Sequence, residues 1–166
     1  MFHRRTRFAG WGEPRETIDV DLTLLTRLGG EESFIRILLD NFSPRIEDAA
    51  EFARTKRVLL LRGESGVGLD IALGAMPFEE SAVERASLFA FPESISLRTC
   101  SAEDLIVMKS FAARGKDWID IEGIITRQAG ELDWPYIRLQ LEPLTELKKA
   151  PEILFELEKR RLEFER

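Results

Sequence analysis

From Ile18 to Leu25 the chain alternates: Ile18, Val20, Leu22 and Leu24 fall on one side, and Asp19, Asp21, Thr23 and Leu25 on the other. Period two is the repeat of a strand, so a strand with one apolar face is expected here. After Gly29-Gly30 the repeat changes. Apolar residues at 34, 35, 37, 38 and 39 in "EESFIRILLDNF" form a helical face. Ser43-Pro44 reads as a restart, with Ser at the N-cap and Pro at the first position of a second helix running to about Phe52. "RVLLLRGESGVGLDIALG" carries two β-forming runs around "GESG", a hairpin whose second strand holds Asp70.

A short helix is expected in "PFEESAVERA" and a hairpin in "LFAFPESISLRT", turning at Pro92. Ser101 and Asp104 form a capping-box-like start, with Asp in place of Glu or Gln, for the helix "AEDLIVMKSFAAR", which Gly115 is expected to end. "KDWIDIEGIITRQAG" reads as a helix closed by Gly130, and "DWPYIRLQLEPLTELKK" as one interrupted or kinked at Pro143. "PEILFELEKRRLEFER" is a charged amphipathic helix, and the first eleven residues read as an irregular or partly extended arm. Strands come early and helices dominate afterwards, which is the order of an α+β protein. The expectation is a mixed sheet flanked by helices over residues 1–130, then C-terminal helices over 131–166.

Composition narrows the chemistry. The 166 residues, 44% hydrophobic with eleven Phe, are enough for one compact domain with a real core. No eighteen-residue apolar window exists for a membrane span, and the basic opening "MFHRRTRF" has no apolar stretch behind it, so a cytoplasmic protein is expected. The single cysteine, Cys100, excludes a disulfide framework or a cysteine-based zinc site and reads as a small core residue. The single histidine, His3, lies near the terminus and leaves no Ser-His-Asp or Cys-His arrangement. What remains is carboxylate chemistry. The net charge of −6 argues against a dedicated nucleic-acid scaffold, although Arg4, Arg5, Arg7, Arg54, Lys56 and Arg57 form a local basic set.

On a strand, Asp19 and Asp21 project from the same face with Cα atoms about 6.5–7 Å apart; on a helix they would diverge by about 200°. Two readings fit the pair. One is a solvated strand edge with two unpaired aspartates; the other is a site for an oxygen-seeking divalent cation, which removes the repulsion between them. Asp70, inside an apolar strand where Asp is uncommon, favours the second. A third carboxylate on a neighbouring strand would complete a two-metal site.

In this order and at these distances, "GEPRETIDVDLTLL", "LDIALG" and "SAEDLIVMKSFAARGKDWIDIEGII" resemble nucleotidyltransferases, and most closely the bacterial family related to AbiEii toxins of type IV toxin–antitoxin systems. The resemblance covers about residues 9–130. It implies a polymerase-β-like fold and transfer of a nucleoside monophosphate from an NTP with release of pyrophosphate. By that resemblance Asp19 and Asp21 bind two Mg²⁺ ions, and Asp70 ligates the catalytic one and helps deprotonate the acceptor hydroxyl. Arg15 and Thr17 lie near the nucleotide phosphates, and Lys109 contacts the nucleotide. Arg114, Lys116, Asp117 and Asp120 match the family's helix-to-helix segment, where Asp117 and Asp120, sharing a helix face, orient a basic residue or form a solvated ion-pairing face. The implied partners are an NTP, an unidentified acceptor (tRNA, protein or small molecule), and an antitoxin or a second copy.

One departure stands out. Family members carry a helix and a strand ending in a Gly-Gly or Gly-Ser turn before the Asp-x-Asp strand, and this chain has "MFHRRTRFAG" there. That turn normally presents backbone N–H groups to the triphosphate. An exposed sheet edge and a tendency to associate are the expected consequences. The competing expectation is a catalytically impaired family member used for interaction, through Ile153, Leu154, Leu157, Leu162 and Phe164 of the last helix; that helix equally fits as a cap on the protein's own core.

Overall fold

The computed structural model of the protein describes residues 6–8, 15–17, 19–91 and 95–164. The strands are β1 (Thr6–Phe8), β2 (Arg15–Thr17), β3 (Asp19–Leu25), β4 (Ser43–Pro44), β5 (Val58–Arg62), β6 (Gly68–Gly74), β7 (Ser87–Phe91) and β8 (Ile95–Thr99). The helices are α1 (Glu31–Asn41), α2 (Ala49–Lys56), α3 (Pro77–Arg85), α4 (Ala102–Ala112), α5 (Gly115–Arg127), α6 (Trp134–Lys148) and α7 (Glu152–Phe164). The fold is α+β, with its helices concentrated at the C-terminal end. Strands β1 and β2 make a separate two-stranded sheet. Residues 19–84 belong to one compact unit and 85–164 to another. That division falls after Glu84.

The first unit is a four-stranded sheet in the order β3-β6-β5-β4. β3 and β6 are parallel; β5 and β6, and β4 and β5, are antiparallel. Alternation sends Leu59, Leu61, Ile71 and Leu73 to one face, where they form a core with Ile35 of α1 and Ala49 and Ala53 of α2. The small side chains of α2 let that helix lie close to the sheet. Leu24, Leu38, Leu39 and Leu69 close the margins of this core. β3 is an edge strand among the described residues, and Leu22 on its apolar side stays 45% exposed.

In the β5–β6 turn Gly66 holds φ +84°, a conformation glycine adopts without strain, and Gly63 N–H donates to Val67 O at 2.9 Å. At the end of α2, Arg57 takes φ 56° without being glycine. Its guanidinium donates to Leu73 O through Nε (2.9 Å) and Nη2 (2.6 Å), and to Thr26 Oγ1 at 3.1 Å. These bonds offset the strain and tie α2 to the far end of β6.

Ser43-Pro44 corrects the sequence reading. The pair forms β4, opposite Arg62 and Leu61 of β5, and α2 begins only at Ala49 and runs past Phe52 to Lys56. A proline lacks the N–H a central strand needs but is tolerated on an edge, and β4 is an edge.

In the second unit α4 packs against α5, α6 and α7, while β7 and β8 form an antiparallel hairpin. Ile106, Val107, Ile121, Ile124, Ile125, Ile137 and Leu141 are almost fully buried. α4 buries residues all round, as a central helix should. Its start is as expected: Ser101 Oγ accepts from Asp104 N–H at 3.1 Å and donates to Asp104 Oδ2 at 2.9 Å. Its end is not. Ala113, at φ 56°, terminates α4, and Gly115 is the first residue of α5. Pro143 does not interrupt α6, which is continuous over Trp134–Lys148. The carbonyl that loses its helical partner belongs to Leu139, a residue that is itself exposed.

Candidate functional site

The register of β3 against β6 puts Asp21 directly opposite Asp70, and Asp19 opposite Gly68. Opposed residues of parallel strands share a face, so all three aspartates stand on the side of the sheet away from the α1–α2 core. Asp19, Asp21 and Asp70 are thus brought to one surface by two strands far apart in sequence.

A fourth residue joins them, and the sequence reading did not name it. Arg45 follows β4, and its backbone N–H donates to Leu60 O at 3.0 Å. Leu60 is opposite Asp70, so Arg45, Leu60, Asp70 and Asp21 lie along one rung of the sheet. Arg45 Nη1 donates to Asp19 Oδ1 at 3.2 Å, and Nη2 donates to Asp70 Oδ1. Among the described residues Arg45 thus ion-pairs with two of the three carboxylates. Among the described residues Asp21 has no ion-pair or hydrogen-bond partner. Only a tertiary clue marks Arg45: with 43–44 read as a helix start, its side chain would have pointed from a helix instead of crossing the sheet.

Space at this face depends on Gly68, where a Cβ would lie 2.0 Å from Asp19 Oδ1 and 2.8 Å from Arg45 Nη1. Gly68→Ala is therefore expected to push the Asp19 carboxylate aside. Because the displaced atoms are side-chain tips, the protein should still fold, with a melting temperature within a few degrees of wild type and divalent-cation affinity lowered severalfold. Calorimetric titration with Mg²⁺ beside a thermal melt checks this.

Among the described residues no three or more Asp, Glu, His or Cys side chains are gathered as tightly as a coordination sphere requires. Asp19 and Asp70 are turned to Arg45. The donor set nevertheless fits Mg²⁺ in kind: every candidate ligand is a carboxylate oxygen, the Gly68 cradle leaves Asp19 its place, and the face already holds a cation in Arg45.

The other candidates are carried by other elements. Arg15 and Thr17 lie on β2, and their side chains are outside the described residues. Lys109, Arg114, Lys116, Asp117 and Asp120 belong to the second unit. Lys109 Nζ donates to Asp120 Oδ2 at 2.6 Å and stands 3.8 Å from Asp117 Oδ1. Asp117, 1% exposed, accepts from the Arg114 backbone N–H at 3.1 Å and from its guanidinium at 2.6 and 3.1 Å, which fixes the start of α5. The two aspartates therefore orient Lys109 and Arg114, one of the roles their spacing allowed. Lys116 is exposed. Of the basic set, Arg54 is engaged by Glu32 (2.9 Å twice) and Arg57 by backbone carbonyls, while Arg4 and Arg5 lie outside the described residues.

Burial pushes the Asp117 carboxyl up, but the Arg114 side-chain and backbone hydrogen bonds, then the charges of Arg114 and Lys109, hold it below its ordinary 3.8. A depressed carboxyl contributes stability above its unfolded value and loses it as pH falls through the folded one. Acid melts of the wild type should steepen below pH 3.8, and in Asp117→Asn this part of the slope should be missing. A variant with the same acid slope would assign the effect elsewhere.

Cys100 is half-buried, and burial, then the charge of Asp104, raise its thiol to about 11, so it is a poor nucleophile at neutral pH. Asp104 itself, fully buried, accepts from Tyr136 Oη at 2.6 Å, and the Arg85 guanidinium sits 4.0 Å over the Tyr136 ring. Among the described residues no helix is long and apolar enough to cross a membrane. Compared with models of known protein families and with curated proteins, the chain matches none.

Proposed function

We propose that the protein is a Mg²⁺-dependent nucleotidyltransferase that moves a nucleoside monophosphate from an NTP to an acceptor hydroxyl. The supporting observation is the convergence of Asp19, Asp21 and Asp70 on one face through the parallel β3–β6 register. In this reading the acceptor oxygen bonds to the α-phosphorus, the bond from that phosphorus to the oxygen bridging to the β-phosphate breaks, and pyrophosphate leaves. Asp19 and Asp21 would hold Mg²⁺, and Asp70, opposite Asp21, would join them and take up the acceptor proton. Bound Mg²⁺ neutralises triphosphate charge and acidifies the acceptor hydroxyl. The acceptor is a tRNA end, a protein or a small molecule. Lys109 enters on the resemblance alone, since its amine is held by Asp120.

The alternative, an interaction module, draws less support from α7. Ile153 and Leu157 are buried within the second unit, Leu154 and Phe164 are half-buried, and of the five apolar residues considered there Leu162 alone is well exposed. The helix covers its own core through Ile153 and Leu157 and leaves Phe155 and Leu162 exposed.

Calorimetric titration with each NTP in Mg²⁺ tests the proposal, with Asp19→Ala/Asp21→Ala as control. Binding by the wild type that vanishes in the control is expected. A folded wild type that binds no NTP would sink the enzyme reading.

A further inference from the structure

The proposed chemistry makes no use of Arg45, yet this residue holds two of the three carboxylates. We propose that Arg45 is a built-in counter-cation that competes with Mg²⁺ for Asp19 and Asp70, so that filling the site requires its guanidinium to swing away. The inference rests on the cation-binding reading above and adds its regulation.

Four observations carry it. First, the placement is set by the sheet: Arg45 is anchored by its backbone to Leu60 at the β5 rung and reaches across β5 to the carboxylates of β6 and β3. Second, the guanidinium does not fork onto one carboxylate, its usual strong geometry. It gives one nitrogen to each of two, Asp19 and Asp70.

Third, this seat is imperfect. Arg45 Nε is buried and has no hydrogen-bond partner among the described residues. An unsatisfied buried donor is a standing cost, which release of the side chain to water would remove. Fourth, Asp21 is exposed, unpaired among the described residues, and in register with Asp70. Asp21 is thus the carboxylate of the three that could hold a cation without first giving up Arg45. Repulsion between the cation and Arg45⁺ makes the two occupants mutually exclusive.

Mn²⁺ binding, followed by the loss of the free-ion EPR signal, tests the exchange in wild type, Arg45→Gln and Arg45→Lys, with far-UV circular dichroism to establish folding. Arg45→Gln should bind Mn²⁺ at least about tenfold more tightly, since the ion no longer displaces two charge-assisted hydrogen bonds. Arg45→Lys, whose single ammonium spans two carboxylates poorly, should fall between the two, and it decides the matter if the Gln variant does not fold. Affinity equal to or weaker than wild type in a folded variant would overturn the exchange and leave the cation site standing. No Mn²⁺ binding by any of the three would overturn both.

Discussion

Under the proposed function, Asp21→Asn is expected to lower Mg²⁺-dependent nucleotidyl transfer by at least about a hundredfold while leaving the melting temperature unchanged or slightly raised. Changing a group one step removed from a metal costs about 10–100-fold in affinity or activity, and losing a ligand should cost no less. Stability should move the other way because Asp21 is exposed and directly opposite Asp70. Like charges facing each other across strands are unfavourable by a few tenths of a kcal/mol to about 1 kcal/mol, and the amide relieves that. Asn keeps the shape, so a fall in transfer could not be assigned to unfolding. Single-turnover transfer from a labelled NTP, run beside a thermal melt, separates the two effects. A variant that transfers normally would remove Asp21 from the site; one that melts far below wild type would make it structural.

The second large effect concerns the other unit. Asp117→Ala is expected to destabilise the protein by about 2–4 kcal/mol, the sum of a lost helix start and lost charge-assisted hydrogen bonds. Its carboxylate is 1% exposed and accepts from the Arg114 backbone and guanidinium, while Lys109 stands 3.8 Å away. Without it the first turn of α5 loses its fixed geometry and Lys109 keeps Asp120 alone. Urea unfolding followed by circular dichroism measures the loss. Asp120→Ala, at 19% side-chain exposure, should cost less. Should Asp117→Ala prove nearly neutral while abolishing NTP binding, the segment would be a substrate contact and its structural role would fall.

The two cases show what kinds of information a sequence holds. The alternation from Ile18 to Leu25 is local, because a strand repeats every second residue, and it was enough to place β3 and to put Asp19 and Asp21 on one side. The α+β class was legible for the same reason, as were both hairpins and the Ser101 cap, since turn-forming and capping residues act within a few positions; Pro92 itself lies outside the described residues. Local signals also misled where a distant partner outweighed them. Ser43-Pro44 is a good helix start, but β5 recruits it as an edge strand. Gly115 is a plausible helix end, but the Asp117 carboxylate makes it a helix beginning.

The site divides in the same way. Sequence alone determined that two carboxylates share a strand face and that a third lies in an apolar strand, because both are properties of neighbours along the chain. Tertiary structure alone decided that β3 runs parallel to β6, that Asp21 meets Asp70, and that Arg45 reaches across a strand to hold Asp19 and Asp70. Strand register is set by burying Leu59, Leu61, Ile71 and Leu73 under two helices, and it is this long-range packing that carries the charged face with it.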